Sequence, residues 1–356
     1  MSSTDAVILV GGQGSRLRPL TLSAPKPMLP AAGVPLLAHL IARIREAGVE
    51  HVVLGTSYRV EVFESYFGDG ADFGVELEYA VETVPLGTGG GIRNVASRLR
   101  SDTVLIFNGD VLTGVDLRGL LARHAGSGAD VTLYLTKVAD PRAFGCVPTD
   151  ADGWVTAFRE KDPDPVTDQI NGGVYVFDRA VLDAVPAGRP VSVERETFPG
   201  LLAAGARMAG HVDPAYWRDL GRPADFVAGS ADLVLGLAPS PALPGPVGCS
   251  LVLAGARVDP GAVLRGGTVV GAGCEVGAGA VLDAAVLFDG ARVAPGAVVR
   301  RSALGFHTSI GTGSLVEDAV IGDRAVIGAG VELLAGVLVW PDVVVPDGGI
   351  RFSSDR

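Results

Sequence analysis

Of the 29 basic side chains in this 356-residue chain, only three are lysine: Lys26, Lys137 and Lys161. An ammonium is a compact point charge that can approach a reacting phosphoryl oxygen, whereas a guanidinium is a planar fork suited to clamping two oxygens at once. Lys26 stands between two prolines, downstream of the glycine-rich stretch "VGGQGSRLRPLT". There Gly11, Gly12 and Gly14 follow an apolar run, and the backbone N–H groups from Gly11 to Ser15 can form an anion nest, with Arg16 able to clamp non-bridging oxygens. The loop lacks the G-x-x-x-x-G-K-[ST] pattern of P-loop NTPases, and G-x-G-x-x-G fails at Leu17. A second apolar run, "TVLIFNGD", ends on Gly109 and Asp110, and "REKD" sets Glu160 beside Lys161. Read singly, each has a plain alternative: a glycine turn, an aspartate cap at a strand end, a solvated charged face. Read together they point to a phosphate ligand.

The elements that must carry these residues have two different periodicities. Residues 5 to about 235 alternate strand and helix signals: "AVILV", then a helix over "PLLAHLIARIREAG" stopped by Gly48. The strands "HVVLGTS" and "VELEYAVE" follow, then a helix across "GIRNVASRLR" and the strand "TVLIFNGD". This order predicts a mainly parallel, Rossmann-like α/β sheet with ligands beyond the carboxyl ends of its strands, where the glycine loop and Gly109-Asp110 both fall. Residues 236–248, proline-rich and uncharged, read as a stiff linker. From there large apolar residues recur every six positions at Val252, Val258, Leu264, Val270, Val276, Leu282 and Phe288. After a slip of five they continue through Val293, Val299, Leu304, Ile310 and Val316, and after another through Ile321, Ile327, Leu333, Val339 and Val345. A period of six fits no α-helix and predicts a parallel β-solenoid over 249–350, similar to the left-handed hexapeptide β-helix. The expected organisation is therefore a catalytic domain over 1–235, the linker, and the β-helix.

A hydrophobic content of 48% with 19% charged residues suits buried cores, and a net charge of −11 argues against nucleic-acid or anionic-membrane surfaces. No apolar stretch reaches the ~20 residues that span a bilayer, and the short run behind "MSSTD" reads as a first strand rather than a signal peptide. Cys146, Cys249 and Cys274 show no metal-ligand spacing and read as reduced thiols of a cytoplasmic protein.

The full string "GGQGSRLRPLT…PKPMLP" resembles the signature of the sugar nucleotidyltransferases, and the resemblance extends over nearly the entire chain. It implies attack by a sugar 1-phosphate oxygen on the α-phosphorus of a nucleoside triphosphate, with pyrophosphate leaving and Mg²⁺ required. Mapped onto this chain, it implies Arg16 on the departing pyrophosphate and Lys26 at the reacting phosphates. Asp110 and the Asp219 of "YWRDLG" become Mg²⁺ ligands, and Lys161 neutralises the sugar phosphate. Glu160, Gly145 and Asn171 become sugar contacts, and the segment "VETVPLGTGG" reads the base through Glu82, Gly87 and Thr88. Guanine presents two adjacent N–H donors that a carboxylate can accept together, so Glu82 favours GTP over UTP or dTTP. The texture of "PLGTGG", "TKVADPRAFG", "NGGVYVF" and "SVERETFP" is most similar to the guanylyltransferases acting on mannose 1-phosphate. Departures at "EKD", "NGG" and Phe144 lie on the sugar side. Glucose-1-phosphate uridylyl- or thymidylyltransferase chemistry, and a non-catalytic nucleotide-sugar sensor, remain as alternatives. Hexapeptide solenoids also include acyltransferases using a histidine base, but His307, the only histidine after residue 235, reads as a structural corner. The solenoid is expected to act as a scaffold that pairs subunits in a homo-oligomer or contacts the catalytic domain.

Overall fold

The computed structural model describes residues 3–351. By contact the chain forms two compact units: one comprises the residues up to Gly12 together with Leu40–Trp217, the other Gln13–His39 together with the chain from Arg218 onward.

The first unit is built on a nine-stranded sheet. Its centre is β1 (Thr4–Leu9), whose run Ala6 to Ile8 is buried on both faces, as a parallel strand covered on two sides must be. It pairs in parallel with β2 (His51–Thr56) and β4 (Thr103–Asn108), and β2 continues in parallel to β3 (Glu76–Val81). On the other side β6 (Gln169–Asp178) runs antiparallel to both β4 and β5 (Val131–Lys137), and β7 (Met208–Val212) adds in parallel to β5. Tyr175, Phe177 and Phe198 are fully buried in the core of this unit.

Helix α1 (Leu36–Glu46) buries Leu36, Leu37, Leu40, Ile41 and Ile44, and Gly48 ends it at φ +88°. The next expected helix is displaced. It spans Gly87–Val95, followed by a single 3₁₀ turn over Ala96–Arg98, and so begins earlier than "GIRNVASRLR". Helix-interior glycine is disfavoured, which moves the sequence-based start past "GTGGG". Close packing reverses that preference: the Gly89 and Gly90 N–H groups both donate to the Val191 carbonyl, and a Cβ on Gly91 would lie 2.8 Å from Glu82 Oε1.

In the second unit, residues from Ser250 to Val345 form three all-parallel sheets of six, six and five strands, the arrangement of a left-handed β-helix. Inward residues stack in register, for example Val270, Leu287, Leu304, Ile321 and Val339. Small residues such as Cys274, Ala280, Ala291 and Ala297 fill the same core. One expected anchor is corrected: Leu287, not Phe288, points inward. The first coil turns this corner through Gly266 and Gly267, whereas the next turns through Ala284 alone at φ +48° and so uses one residue fewer. The slip of five therefore falls before Leu287. Phe288 faces out and packs against Phe226 and Phe306, with ring centroids 6.2 and 5.1 Å away. His307 sits at a coil corner with φ +57°. All three cysteines are free, Cys146 and Cys274 buried and Cys249 exposed.

Candidate active site

In the second unit, Gly14 takes φ +59°, and a Cβ there would lie 2.9 Å from Lys26 Cβ. Glycine lets the loop close onto the Pro-Lys-Pro turn, and the Thr21 hydroxyl holds it by donating to the Gly14 carbonyl at 2.9 Å. Ser15–Leu17 forms one 3₁₀ turn that buries Leu17 and leaves Arg16 exposed. Lys26 occupies a second 3₁₀ turn, is itself buried, and sets Nζ 3.6 Å from Asp219 Oδ1. A Cβ on Gly221 would lie 2.8 Å from Arg16 Nη2 and 3.0 Å from Asp219 Oδ1. Two cations thus converge with one carboxylate over a residue that has no side chain. This is the charge pattern for holding a polyphosphate tail.

In the first unit the expected glycines and Asp110 lie beyond the carboxyl ends of β1 and β4. Gly11 accepts a hydrogen bond from the Ser57 hydroxyl at 2.8 Å, and Gly12 has open space beside its Cα. The Gly109 N–H donates to the Leu9 carbonyl, which holds the two strand ends together and leaves Asp110 half-buried beyond them. Opposite, β6 bulges between Asn171 and Tyr175. A side chain on Gly172 would collide with the Tyr134 ring, so the bulge depends on glycine. The bulge aims Asn171 Nδ2 at the buried Tyr175 hydroxyl, 2.8 Å away, which also accepts from Asn108 Nδ2 at 3.3 Å. Trp217 Nε1 donates to the Gly172 carbonyl at 2.9 Å and stacks edge-on with Phe144 at 5.2 Å.

Gly145 pairs in register with Glu160, whose neighbour Lys161 takes φ +54° and donates its N–H to the Phe144 carbonyl. Lys161 Nζ lies 3.6 Å from Glu160 Oε1, with the lysine side chain 59% exposed. Burial raises the Glu160 carboxyl above the usual carboxylate range, and the charge of Glu194 adds to that shift. Glu82 is buried, and the same desolvation raises its pKa. Its Oε2 accepts the Leu86 N–H at 2.9 Å, so this carboxylate already organises the segment expected to face the base.

Gly87, at φ +69°, lies against the Val191 carbonyl, and the Thr88 hydroxyl donates to Glu194 Oε2 at 2.8 Å. The strap from Val191 to Glu194 holds the segment expected to face the base; sequence reasoning met it only within "SVERETFP" and gave it no role. Its signal was Ser192, which caps the helical turn 193–197 through the Arg195 N–H. Tyr175, the hub of the Asn108–Asn171 contact, was also missed, being indistinguishable in sequence from core.

The expected residues therefore fall into two groups. Gly11, Gly12, Glu82, Gly87, Thr88, Gly109, Asp110, Gly145, Glu160, Lys161 and Asn171 belong to the first unit, and Gly14, Ser15, Arg16, Lys26 and Asp219 to the second. Among the described residues no three or more His, Cys, Asp or Glu side chains cluster as a metal site, and no helix is long and apolar enough to cross a membrane.

Residues 5–234 match the family model described as nucleotidyl transferase. The chain belongs to the nucleotidyl transferase family. Residues 247–355 match a second model, the GMPPB C-terminal domain. Among similar members of the nucleotidyl transferase family is a Mycobacterium tuberculosis mannose-1-phosphate guanylyltransferase, 63% identical over 99% of this chain and 98% of its own length. A Gibberella zeae mannose-1-phosphate guanyltransferase is 37% identical over 63% of this chain and 62% of its own. The crystal structure of HddC from Yersinia pseudotuberculosis, complexed with GMP-PN, superposes with a TM-score of 0.56 at 26% identity. It covers 65% of this chain and 98% of that one.

Proposed function

We propose that this protein transfers a guanylyl group from GTP to mannose 1-phosphate, giving GDP-mannose and pyrophosphate. The observation that carries the reading is the convergence of Arg16 and buried Lys26 on Asp219 over Gly221. Near-full-length 63% identity to a mannose-1-phosphate guanylyltransferase supports the substrate pair.

In the reaction a phosphate oxygen of mannose 1-phosphate bonds to the α-phosphorus of GTP, and the α–β bridging bond breaks in line. Positioning and charge neutralisation do nearly all the work in such a displacement. Arg16 clamps the departing pyrophosphate and Lys26 the reacting phosphates. Lys161 neutralises the incoming sugar phosphate. Glu160, Asn171 and Gly145 hold the sugar, while Glu82, Gly87 and Thr88 meet the guanine. Asp110 and Asp219 supply the carboxylates for Mg²⁺. Hard oxygen donors fit that ion, which takes one or two carboxylates and fills its remaining positions with water and phosphate, so no larger acidic cluster is required. Bound there, the ion supplies charge neutralisation on the triphosphate.

The test is a matrix of GTP, UTP, dTTP and ATP against mannose 1-phosphate and glucose 1-phosphate with Mg²⁺, read as pyrophosphate release. GTP with mannose 1-phosphate should give the highest kcat/KM. A clear preference for UTP or dTTP with glucose 1-phosphate, or no turnover with any pair, overturns the proposal.

A further inference from the structure

The cations of the second unit owe their placement to a helix and a solenoid that carry no reacting group. Lys26 lies in a 3₁₀ turn closed by the Leu29 N–H donating to the Lys26 carbonyl, and a short hairpin follows in which Ala31 pairs with Val34. The tip of that hairpin is held at three points. The Ala32 N–H donates to the Ser230 hydroxyl at 2.8 Å, a fully buried contact between residues 198 apart in sequence. Gly33 presses on Leu253 of the first solenoid coil, so closely that a Cβ would come within 2.6 Å of Leu253 Cδ1. The Ala31 carbonyl meets His39 Nε2 at 2.9 Å, and His39 Nδ1 meets the Ser240 hydroxyl at 2.6 Å.

Ser230 belongs to the helix Pro223–Val234, which starts just after Asp219 and Gly221. Arg218, beside Asp219, forms ion pairs with Asp225 and Asp232 of the same helix. The helix in turn sits on the solenoid: a Cβ on Gly267 would lie 2.6 Å from the Ala231 carbonyl oxygen, and Phe226 packs against Phe288. One rigid beam thus fixes Asp219 at its start and the Lys26 hairpin near its end, and the first coils fix the beam.

We infer that the helix Pro223–Val234, seated on the solenoid, sets Lys26 against Asp219, with Ser230 and Leu253 as positioning residues for the phosphate-gripping cations. This rests on the roles proposed above for Lys26 and Asp219. It makes the solenoid part of the machinery for binding the nucleotide's phosphates, in addition to any scaffolding role.

The experiment compares full-length wild type, Ser230→Ala and Leu253→Ala, each alone and in a Lys26→Ala background. Two readouts are taken: steady-state kinetics with each substrate varied in turn, and affinity for GTP by calorimetry. Ser230→Ala should lower kcat/KM for GTP and affinity for GTP by about tenfold, the scale of a sub-ångström misplacement. KM for mannose 1-phosphate should move less than about twofold, and the penalty in GTP affinity should vanish once Lys26 is gone. Equal losses for both substrates, a penalty that persists without Lys26, or wild-type values in Ser230→Ala would each overturn the inference. Should Ser230→Ala fail to fold, Leu253→Ala, whose side chain is only partly buried, carries the same expectations. A wild type that binds GTP but makes no GDP-mannose defeats the proposed activity alone, and the positioning role is then decided on GTP affinity.

Discussion

Gly221→Ala separates catalysis from folding more cleanly than removal of a charged group would. Gly221 is not at positive φ, so alanine suits its backbone. The added methyl would sit 2.8 Å from Arg16 Nη2, 3.1 Å from Arg16 Cζ and 3.0 Å from Asp219 Oδ1. A comfortable contact is about 3.5 Å, so the guanidinium must retreat by about 0.7 Å and the carboxylate by about 0.5 Å. Arg16 is exposed and free to swing, which keeps the stability change within about 0.5 kcal/mol. Catalysis is less tolerant, since a misplacement of about 1 Å at a charge stabiliser costs up to about 10²-fold. The expected loss in kcat is therefore about 10- to 100-fold, or about 1.4–2.7 kcal/mol of transition-state stabilisation. A coupled pyrophosphate-release assay gives kcat, and a thermal melt on the same preparation gives stability. Wild-type kcat with an unchanged melt would show that Arg16 and Asp219 are not held to a working geometry over Gly221, and the phosphate-gripping role of the cluster would fall with it.

Three further outcomes are expected. Asp110→Asn and Asp219→Asn should each cut turnover by about 10²-fold, the scale of losing one charge stabiliser, with near-normal rates in both removing the Mg²⁺ assignment. Glu82→Gln should narrow the preference for GTP over UTP and dTTP in competition assays, and an unchanged ratio would show that this carboxylate serves only the Leu86 N–H. The third outcome concerns pH. Burial lowers the pKa of His39 from 6.5 to about 4, so the folded protein binds its proton less readily than the unfolded chain does. The stability from keeping it neutral is complete above pH 6.5 and is lost as pH falls to about 4, amounting to about 3 kcal/mol. Urea unfolding at pH 7 and pH 4.5 should show His39→Gln less pH-sensitive than wild type, and parallel losses in the two proteins would refute the assignment.

The parts legible in the sequence were those written as periodicity. The buried strands around β1 announce themselves as unbroken apolar runs, and the solenoid does so through a six-residue repeat that no helix can satisfy. The Phe288 anchor failed because a corner built by one residue at positive φ is one residue shorter than a Gly-Gly corner, and nothing in "DAAVLF" marks which of Leu287 and Phe288 turns inward. The helix start at Gly87 was hidden for a related reason: local propensity rejects three consecutive helical glycines, and the close approach of Val191 to Gly89 and Gly90 and of Glu82 to Gly91 is what calls for them. Among the site residues, charged groups with strict neighbours, such as Lys26 between two prolines, stood out in the chain. The Ser230 hydroxyl did not, because its partner is a backbone N–H far away in sequence. Tyr175 likewise reads as core until the bulge at Asn171 gives its hydroxyl a purpose.

The pairing of Ala32 with Ser230 also has a consequence for biosynthesis. A ribosome delivers Gln13–His39 early, yet the acceptor for that segment, the aspartate beside its lysine and the coil beneath its hairpin all emerge long afterwards. An unfinished polypeptide already contains every strand of the nine-stranded sheet before the distant partners of Ala32 and Gly33 have emerged. Products that stop before Ser230 leave Ala32 without its buried acceptor, and those that stop before Leu253 leave Gly33 without its packing partner.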